Sequence, residues 1–167
     1  MTTANVTTNR RTEDAAREFV GSATLAGHLQ RVLVDLIELH LQGKQAHWNV
    51  VGPNFRDLHL QLDEIVDIAR EASDTIAERM RALHATPDGR SDTVASTTTL
   101  PAFPAGEQST GNVARAVTAR LHAAAATLRG VHDDVDAEDP SSADLLHAIL
   151  DDLEKQAWML SAEVRTA

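Results

Sequence analysis

The chain has 167 residues, 43% of them hydrophobic and 3% aromatic, which suits one domain with a core of its own and is too short for two. It contains no cysteine, so any bound metal must be held by imidazole and carboxylate groups, and a structural zinc site is disfavoured. A formal net charge of −10 favours attraction of cations and disfavours nucleic-acid binding by the bulk of the surface.

The first residues show none of the features of a targeting signal. The opening MTTANVTTNRRTED has no apolar stretch of seven residues, and no window of the chain approaches the roughly 20 apolar residues of a membrane span. We therefore expect a cytoplasmic protein that does not contact a membrane. Residues 1–20 lie outside every periodic segment, so we predict a mobile tail there and one domain over residues 21–167.

Four long segments have the apolar spacing of amphipathic helices, and none shows the alternation typical of strands. The predicted helices span about residues 22–50, 54–84, 112–135 and 142–164. Asn54, with Asp57 three residues later, is the predicted start of the second helix, and Ser141 with Asp144 forms another candidate capping box.

The connection between the second and third predicted helices is unusually long. Residues 85–111 are rich in Pro, Gly, Ser and Thr, and we predict a crossover that carries a short helix near STTTLPAFP, residues 96–104. Four long helices with such a middle connection predict an all-α, ferritin-like four-helix bundle, because the crossover must traverse the bundle.

A metal site inside this bundle would need an unusual ligand arrangement. Di-iron centres inside four-helix bundles use a Glu-x-x-His pair on each of two helices. The sequence contains no such pair, and its single near match is Asp144-x-x-His147. One pair cannot build that centre, so the ligands would have to lie elsewhere.

The second predicted helix carries a stripe of one histidine and five acidic residues. At about 100° per residue they fall within a band about 120° wide. The stripe consists of His59, Asp63, Asp67, Glu71, Asp74 and Glu78. Such a stripe is usually the solvated side of an amphipathic helix, and spacing alone leaves that alternative open.

The stripe is centred nearly opposite the apolar side of the same helix, so a site built on it would face away from its own bundle. Another chain would then have to complete it, with His47 a candidate to arrive across a two-fold axis. Mixed imidazole and carboxylate ligands suit iron, manganese or zinc, and the spacing does not choose among them.

The segment KQAHWNVVGPNFRDLHLQLDEIVDIAREASDTIAER, residues 44–79, resembles the ferroxidase signature of Dps proteins, the mini-ferritins that protect DNA in starved cells. STTTLPAFP is similar to the crossover helix of that family, and LLHAILDDLEKQAWMLSAEV is similar to its last helix. Only about the first twenty residues lack the resemblance.

The resemblance implies a di-iron site at a two-fold dimer interface, and all five ligand positions match. They are His47, His59, Asp63, Asp74 and Glu78. In the family, Asp74 and Glu78 of one subunit and His47 of the other hold the tighter iron, while His59 and Asp63 help to hold the second. We accordingly expect His47 and His59 in different halves of the interface, with Asp67 and Glu71 outside the ligand set.

The function implied is iron detoxification and storage. A dodecameric shell of four-helix subunits, built on two-fold dimer interfaces, would oxidise Fe(II), preferentially with hydrogen peroxide rather than oxygen, and store a ferric mineral. This would protect DNA from oxidative damage. The alternative is a nucleoid protein that mainly binds and condenses DNA, with incidental iron chemistry.

DNA binding has weak support in the tail. Family members that condense DNA commonly use a lysine-rich tail, whereas here Arg10 and Arg11 belong to a tail whose charges balance. Twelve copies of this arginine pair would give weak, salt-sensitive binding.

Two tryptophans and a lysine are expected near the di-iron site. Trp48 and Trp158 resemble family tryptophans that capture stray oxidising equivalents, and the alternative is packing at an interface. Lys44 either pairs with a site carboxylate or interacts with the dipole at the end of the first helix.

An acidic run, HDDVDAEDPSSAD, corresponds to the family region that lines a three-fold pore for Fe(II). Asp136, Asp139 and Asp144 are the candidate pore residues, because repeated carboxylates concentrate cations. A solvated loop explains the run equally simply, and Asp144 has the competing role of a helix cap.

Overall fold

The computed structural model describes residues 18–165, and in this part of the chain five helices and one pair of very short strands form. The helices are α1 (Ala23–Asn49), α2 (Phe55–Ala82), α3 (Ser91–Thr97), α4 (Thr110–Glu138) and α5 (Pro140–Glu163), and the strands are β1 (Val50–Val51) and β2 (Gln108–Ser109). The all-α prediction is confirmed, and each long helix lies within a few residues of its predicted range. Residues 1–17 of the predicted tail, with Arg10 and Arg11, lie outside the described residues.

The four long helices form a closed bundle. α1 packs against α2 and α4, while α5 packs against α4 and α2. Leucines spaced three, four or seven residues apart on α1, namely Leu25, Leu29, Leu36 and Leu39, are at most 1% exposed. Burying each stabilises the fold by about 1.5–3 kcal/mol. No helix within residues 18–165 has the length and apolar character needed to span a membrane.

The crossover from α2 to α4 is held by a buried carboxylate. Asp35 on α1 is 1% exposed and accepts hydrogen bonds from Thr98 Oγ1 at 2.9 Å, from the Thr99 N–H at 2.8 Å and from Thr127 Oγ1 at 2.7 Å. A buried charge is tolerated only with such partners. The short helix α3 ends at Thr97, because the threonines that follow donate hydrogen bonds to Asp35.

A buried arginine holds the second half of the crossover. Arg120 on α4 donates to Gln42 and, at 2.6 Å, to the carbonyl of Ala102. Its guanidinium also lies 5.0 Å from the ring centre of Phe103, within cation–π range. The predicted crossover with a short helix near STTTLPAFP is confirmed: the helix is α3, which overlaps the first two residues of this segment, and the contacts of Arg120 hold the irregular residues that follow.

The α1–α2 corner is fixed by the small parallel sheet. Val50 and Val51 pair with Gln108 and Ser109, and Gly52 follows with φ of 124°, a conformation that suits glycine. The corner reverses the chain within a few residues. The last turn of α1 therefore lies beside the first turns of α2.

The helix starts differ from the predicted caps. Asn54 precedes α2 as predicted but has a left-handed conformation and makes no side-chain capping hydrogen bond. The cap residue of α5 is Asp139, followed by Pro140 in the first turn, so Ser141 and Asp144 do not form the predicted capping box. Proline suits the first helical turn because its missing N–H would be unpaired there anyway.

Candidate metal centre

Three of the five predicted ligands cluster at the α1–α2 corner. His47 lies in the last turn of α1, and His59 and Asp63 lie one turn apart on α2. One potential ligand atom from each residue lies within 4.8 Å of the others. Two imidazoles and a carboxylate so close together can hold a first-row divalent metal ion.

The two imidazole rings are oriented by specific contacts. The rings of His47 and His59 stack with their centres 3.7 Å apart. His59 Nδ1 lies 3.2 Å from the carbonyl oxygen of His47, and donation of the Nδ1 proton to that oxygen leaves a lone pair on Nε2. Ligating histidines usually donate their other ring nitrogen to such an acceptor.

His47 has an unpaired buried nitrogen. Its side chain is 10% exposed, its Nε2 lies 2.9 Å from Asp63 Oδ2, and its Nδ1 has no hydrogen-bond partner among the described residues. Buried polar atoms are nearly always paired. The nitrogen that faces the carboxylate of the cluster is Nε2, so this is the atom of His47 that could bind a metal ion together with Asp63.

Asp63 connects both helices at this corner. Lys44 Nζ donates to its Oδ1 at 2.6 Å, so the structure favours carboxylate pairing as the role of Lys44. This hydrogen bond lowers the pKa of Asp63; burial opposes the shift and His47 reinforces it. The carboxylate is therefore ionised, the form that a metal ligand requires, even in moderately acidic solution.

The other two predicted ligands lie far along the same helix. Asp74 and Glu78 are exposed on α2, and the axial distance from Asp63 to Asp74 is roughly 16 Å at the helical rise per residue. They cannot join the His47 cluster of their own chain. Asp74 lines an open groove of about 610 Å³, whose apolar side includes Leu33 and Ile37.

The expectation that His47 and His59 occupy different halves of an interface is wrong. Their rings stack within one chain because the corner places them side by side. The predicted outward orientation of the acidic stripe is correct only in part. His59 and Asp63 contact residues of α1, whereas Asp74 and Glu78 are exposed.

The two tryptophans that were expected near the site are largely exposed. Trp48, directly after His47 in the chain, is 70% exposed, and Trp158 on α5 is 66% exposed. Sequence reasoning missed Phe55, whose ring centre lies 5.1 Å from that of His59. Its position four residues before His59 on one helix was the available signal.

The predicted pore residues have different environments. Asp136 and Asp144 are exposed, but Asp139 is 6% exposed, accepts from Arg79 at 2.7 Å and accepts from the hydroxyl of Ser142. Burial alone would raise the pKa of Asp139, but the bonds from Ser142 and Arg79 outweigh it and the pKa is lowered. Both bonds go to Oδ2, so Asp139 anchors the α4–α5 corner through this oxygen, and its place in a pore stays a prediction.

Comparison with known proteins agrees with this architecture. The family model described as "Ferritin-like domain" matches residues 26–167. The DNA protection during starvation protein of Agrobacterium fabrum is 38% identical over 144 residues, which is 86% of this chain and 89% of the relative.

Solved Dps structures have the same fold. Dps from Microbacterium arborescens in the high iron form superposes with a TM-score of 0.81 at 33% identity, covering 87% of this chain and 98% of that one. Dps of Mycobacterium smegmatis gives a TM-score of 0.83 at 28% identity, covering 88% and 92% of the two chains. The chain belongs to the ferritin-like superfamily and, within it, to the Dps family.

Proposed function

We propose that this protein oxidises Fe(II) and stores the ferric product, with iron as substrate and cargo. The observation that supports this most directly is the cluster of His47, His59 and Asp63 on one chain. Two imidazoles and an ionised carboxylate bind Fe(II), and carboxylates also favour the harder Fe(III), so the ligand set promotes oxidation.

The complete site requires two copies of the chain. The cluster supplies one half, and Asp74 with Glu78 of a second copy supplies the other, since the helical rise separates these groups within one chain. Exposed apolar side chains at the α1–α2 corner, Trp48, Phe55 and Leu60, support this part of the proposal, because exposed apolar surface favours association between copies. Two-fold pairs of this kind would then assemble into a dodecameric shell.

Hydrogen peroxide is the proposed preferred oxidant, with oxygen slower. Two neighbouring Fe(II) ions each lose one electron, and the peroxide O–O bond takes up both electrons and breaks to give two hydroxide ions. This route avoids the one-electron step that releases hydroxyl radical. Protection of DNA would follow from removal of both reactants.

The test is anaerobic Fe(II) followed by a pulse of peroxide. In the Asp74→Ala/Glu78→Ala variant we expect the fast absorbance rise of ferric product to disappear while the assembly keeps its size on gel filtration. Glu64→Ala is the matched control, since Glu64 is exposed on the same helix and lies outside the five positions. An unchanged fast phase in the double variant would refute the site.

Weak DNA binding is a secondary proposal, supported by the names of relatives such as the Agrobacterium fabrum protein. A gel shift with the intact chain and with Arg10→Ala/Arg11→Ala tests it. We expect retardation only at low salt, lost in the variant, because a net-acidic protein binds phosphates weakly. Retardation that persists at physiological salt would favour the nucleoid-protein alternative.

A further inference from the structure

A second pair of histidines lies near the α4–α5 corner, away from the α1–α2 corner. His132 on α4 and His147 on α5 have ring centres 4.3 Å apart and planes inclined by 33°. The two helices are antiparallel and meet at Asp139, so residues at similar distances before and after it lie side by side. No role for this pair follows from the proposed iron oxidation.

His132 is prepared for ligation by its neighbour. Its Nδ1 lies 3.2 Å from Asp133 Oδ1, and its Nε2 is buried with no hydrogen-bond partner in residues 18–165. Donation of the Nδ1 proton to the carboxylate leaves a lone pair on Nε2. A carboxylate, a histidine and a metal ion form this same sequence of contacts in known metal sites.

The space beside the two rings is large enough for an ion and water. A shallow cavity of about 150 Å³ is lined by Arg129, His132, Asp133, His147 and Leu150. One water occupies about 30 Å³ in the liquid. The positive charge of Arg129 is offset because its guanidinium pairs with Glu154.

The surrounding charge favours a cation. Asp136 lies one helical turn after His132, and Asp144 and Asp151 lie about one turn on either side of His147. All three carboxylates are exposed. Their combined negative potential raises the local concentration of divalent cations at the histidine pair.

We propose that His132 and His147 together bind a late first-row divalent cation, with Zn²⁺ as the best match. Imidazole nitrogens bind Zn²⁺ at about 2.0–2.1 Å, and two such ligands on a tetrahedral ion have ring centres roughly 5 Å apart by that geometry. To reach it, the observed rings need to separate by less than about 1 Å and to turn one nitrogen each toward the same ion. Water completes the coordination, so this partly hydrated site, which bridges α4 and α5, differs from the closed structural zinc sites that the absence of cysteine disfavours.

Zinc titration of the full chain against a chromophoric chelator tests the site. We expect the His132→Ala/His147→Ala variant to bind one Zn²⁺ fewer per chain than the wild type. The control is His122→Ala, which removes an exposed histidine from α4 outside the cavity and should leave the number of sites unchanged. Equal zinc content in the double variant and the control would overturn the proposal.

Two further measurements test the zinc site without relying on the folding of the histidine variant or on the proposed iron oxidation. Anomalous scattering at the zinc edge from crystals soaked with Zn²⁺ should show a peak between the two rings, and a structure without that peak would refute the site. The Asp74→Ala/Glu78→Ala variant should keep the same zinc site whether or not it oxidises iron. If zinc no longer binds between His132 and His147 in this variant, the proposal of a separate zinc site is overturned.

The role of Asp133 is tested by Asp133→Asn. The neutral amide oxygen of asparagine accepts the Nδ1 proton of His132 more weakly than the charged carboxylate does. We therefore expect the zinc affinity of this site to fall by about 10- to 100-fold. Unchanged affinity would overturn the assignment of Asp133 as the group that orients His132.

Discussion

The α1–α2 corner and the α4–α5 corner each bring together a histidine from two neighbouring helices. The ring centres are 3.7 Å apart at the first corner and 4.3 Å apart at the second. At the first corner, the carboxylate of Asp63 on α2 contacts both His47 and Lys44 on α1. At the second, Asp133 is the chain neighbour of the histidine it contacts.

The two corners have the same pairing of histidines but differ in the position of the carboxylate, and this position decides which groups can bind a metal ion. Asp63 reaches across α1 and α2, so it can be a metal ligand together with both imidazoles. Asp133 holds the far side of one ring and leaves the ligand positions to the histidines. The position of the carboxylate relative to the corner therefore distinguishes the proposed shared iron site from the proposed two-histidine site.

The largest effect is expected from Asp63→Ala. The variant removes one of three clustered donors and the partner of Lys44, whose free ammonium would then repel Fe(II). We expect the affinity for Fe(II), measured anaerobically by calorimetry, to fall at least about 100-fold. Glu64→Ala provides the control, and equal affinity in both variants would mean that Asp63 is not a ligand.

At the other corner, Asp139→Ala should act on stability rather than on metal binding. The change leaves Arg79 and Ser142 without their acceptor, and we expect the free energy of unfolding to fall by about 1–3 kcal/mol. Urea unfolding at one fixed protein concentration measures this. Asp136→Ala, at an exposed position, should change it by no more than about 0.5 kcal/mol.

The pH dependence of that stability has a defined sign. The pKa of folded Asp139 lies below its ordinary value of 3.8, so its stabilising contribution is fully present above that value and is lost as the pH falls through the folded pKa. The stability difference between wild type and Asp139→Asn should therefore be constant near neutral pH and shrink in acid below 3.8. A difference that grows on acidification would contradict the assignment.

The smallest effect is expected from Arg129→Gln beside the histidine pair. Arg129 pairs with Glu154, but its side chain is 62% exposed, and exposed ion pairs contribute about 0.2–1 kcal/mol. Thermal unfolding should shift only slightly. A large loss of stability would mean that the pair between Arg129 and Glu154 contributes far more to the packing of α4 on α5 than an exposed ion pair should.

The helices were predictable because the periodicity of buried leucines reports directly on one face of a helix. It was equally predictable that His59 and Asp63 lie on the same side of α2, because they are four residues apart. The short crossover helix near STTTLPAFP was predictable from the composition of the connection, but its exact end was not, because Thr98 and Thr99 donate hydrogen bonds to Asp35 on another helix. The Ser141 cap failed for a similar reason, since Asp139 is fixed by Arg79 from α2.

By itself the sequence determined the bundle, its crossover and the types of ligand available, because these depend on local periodicity, chain length and the absence of cysteine. Only the tertiary structure decided which side chains meet. His47 and His59 proved to be stacked partners in one chain, while Asp74 was separated from them by the length of α2. Contacts between helices depend on how corners reverse the chain and how buried charges find partners, and neither is encoded in the spacing of one helix.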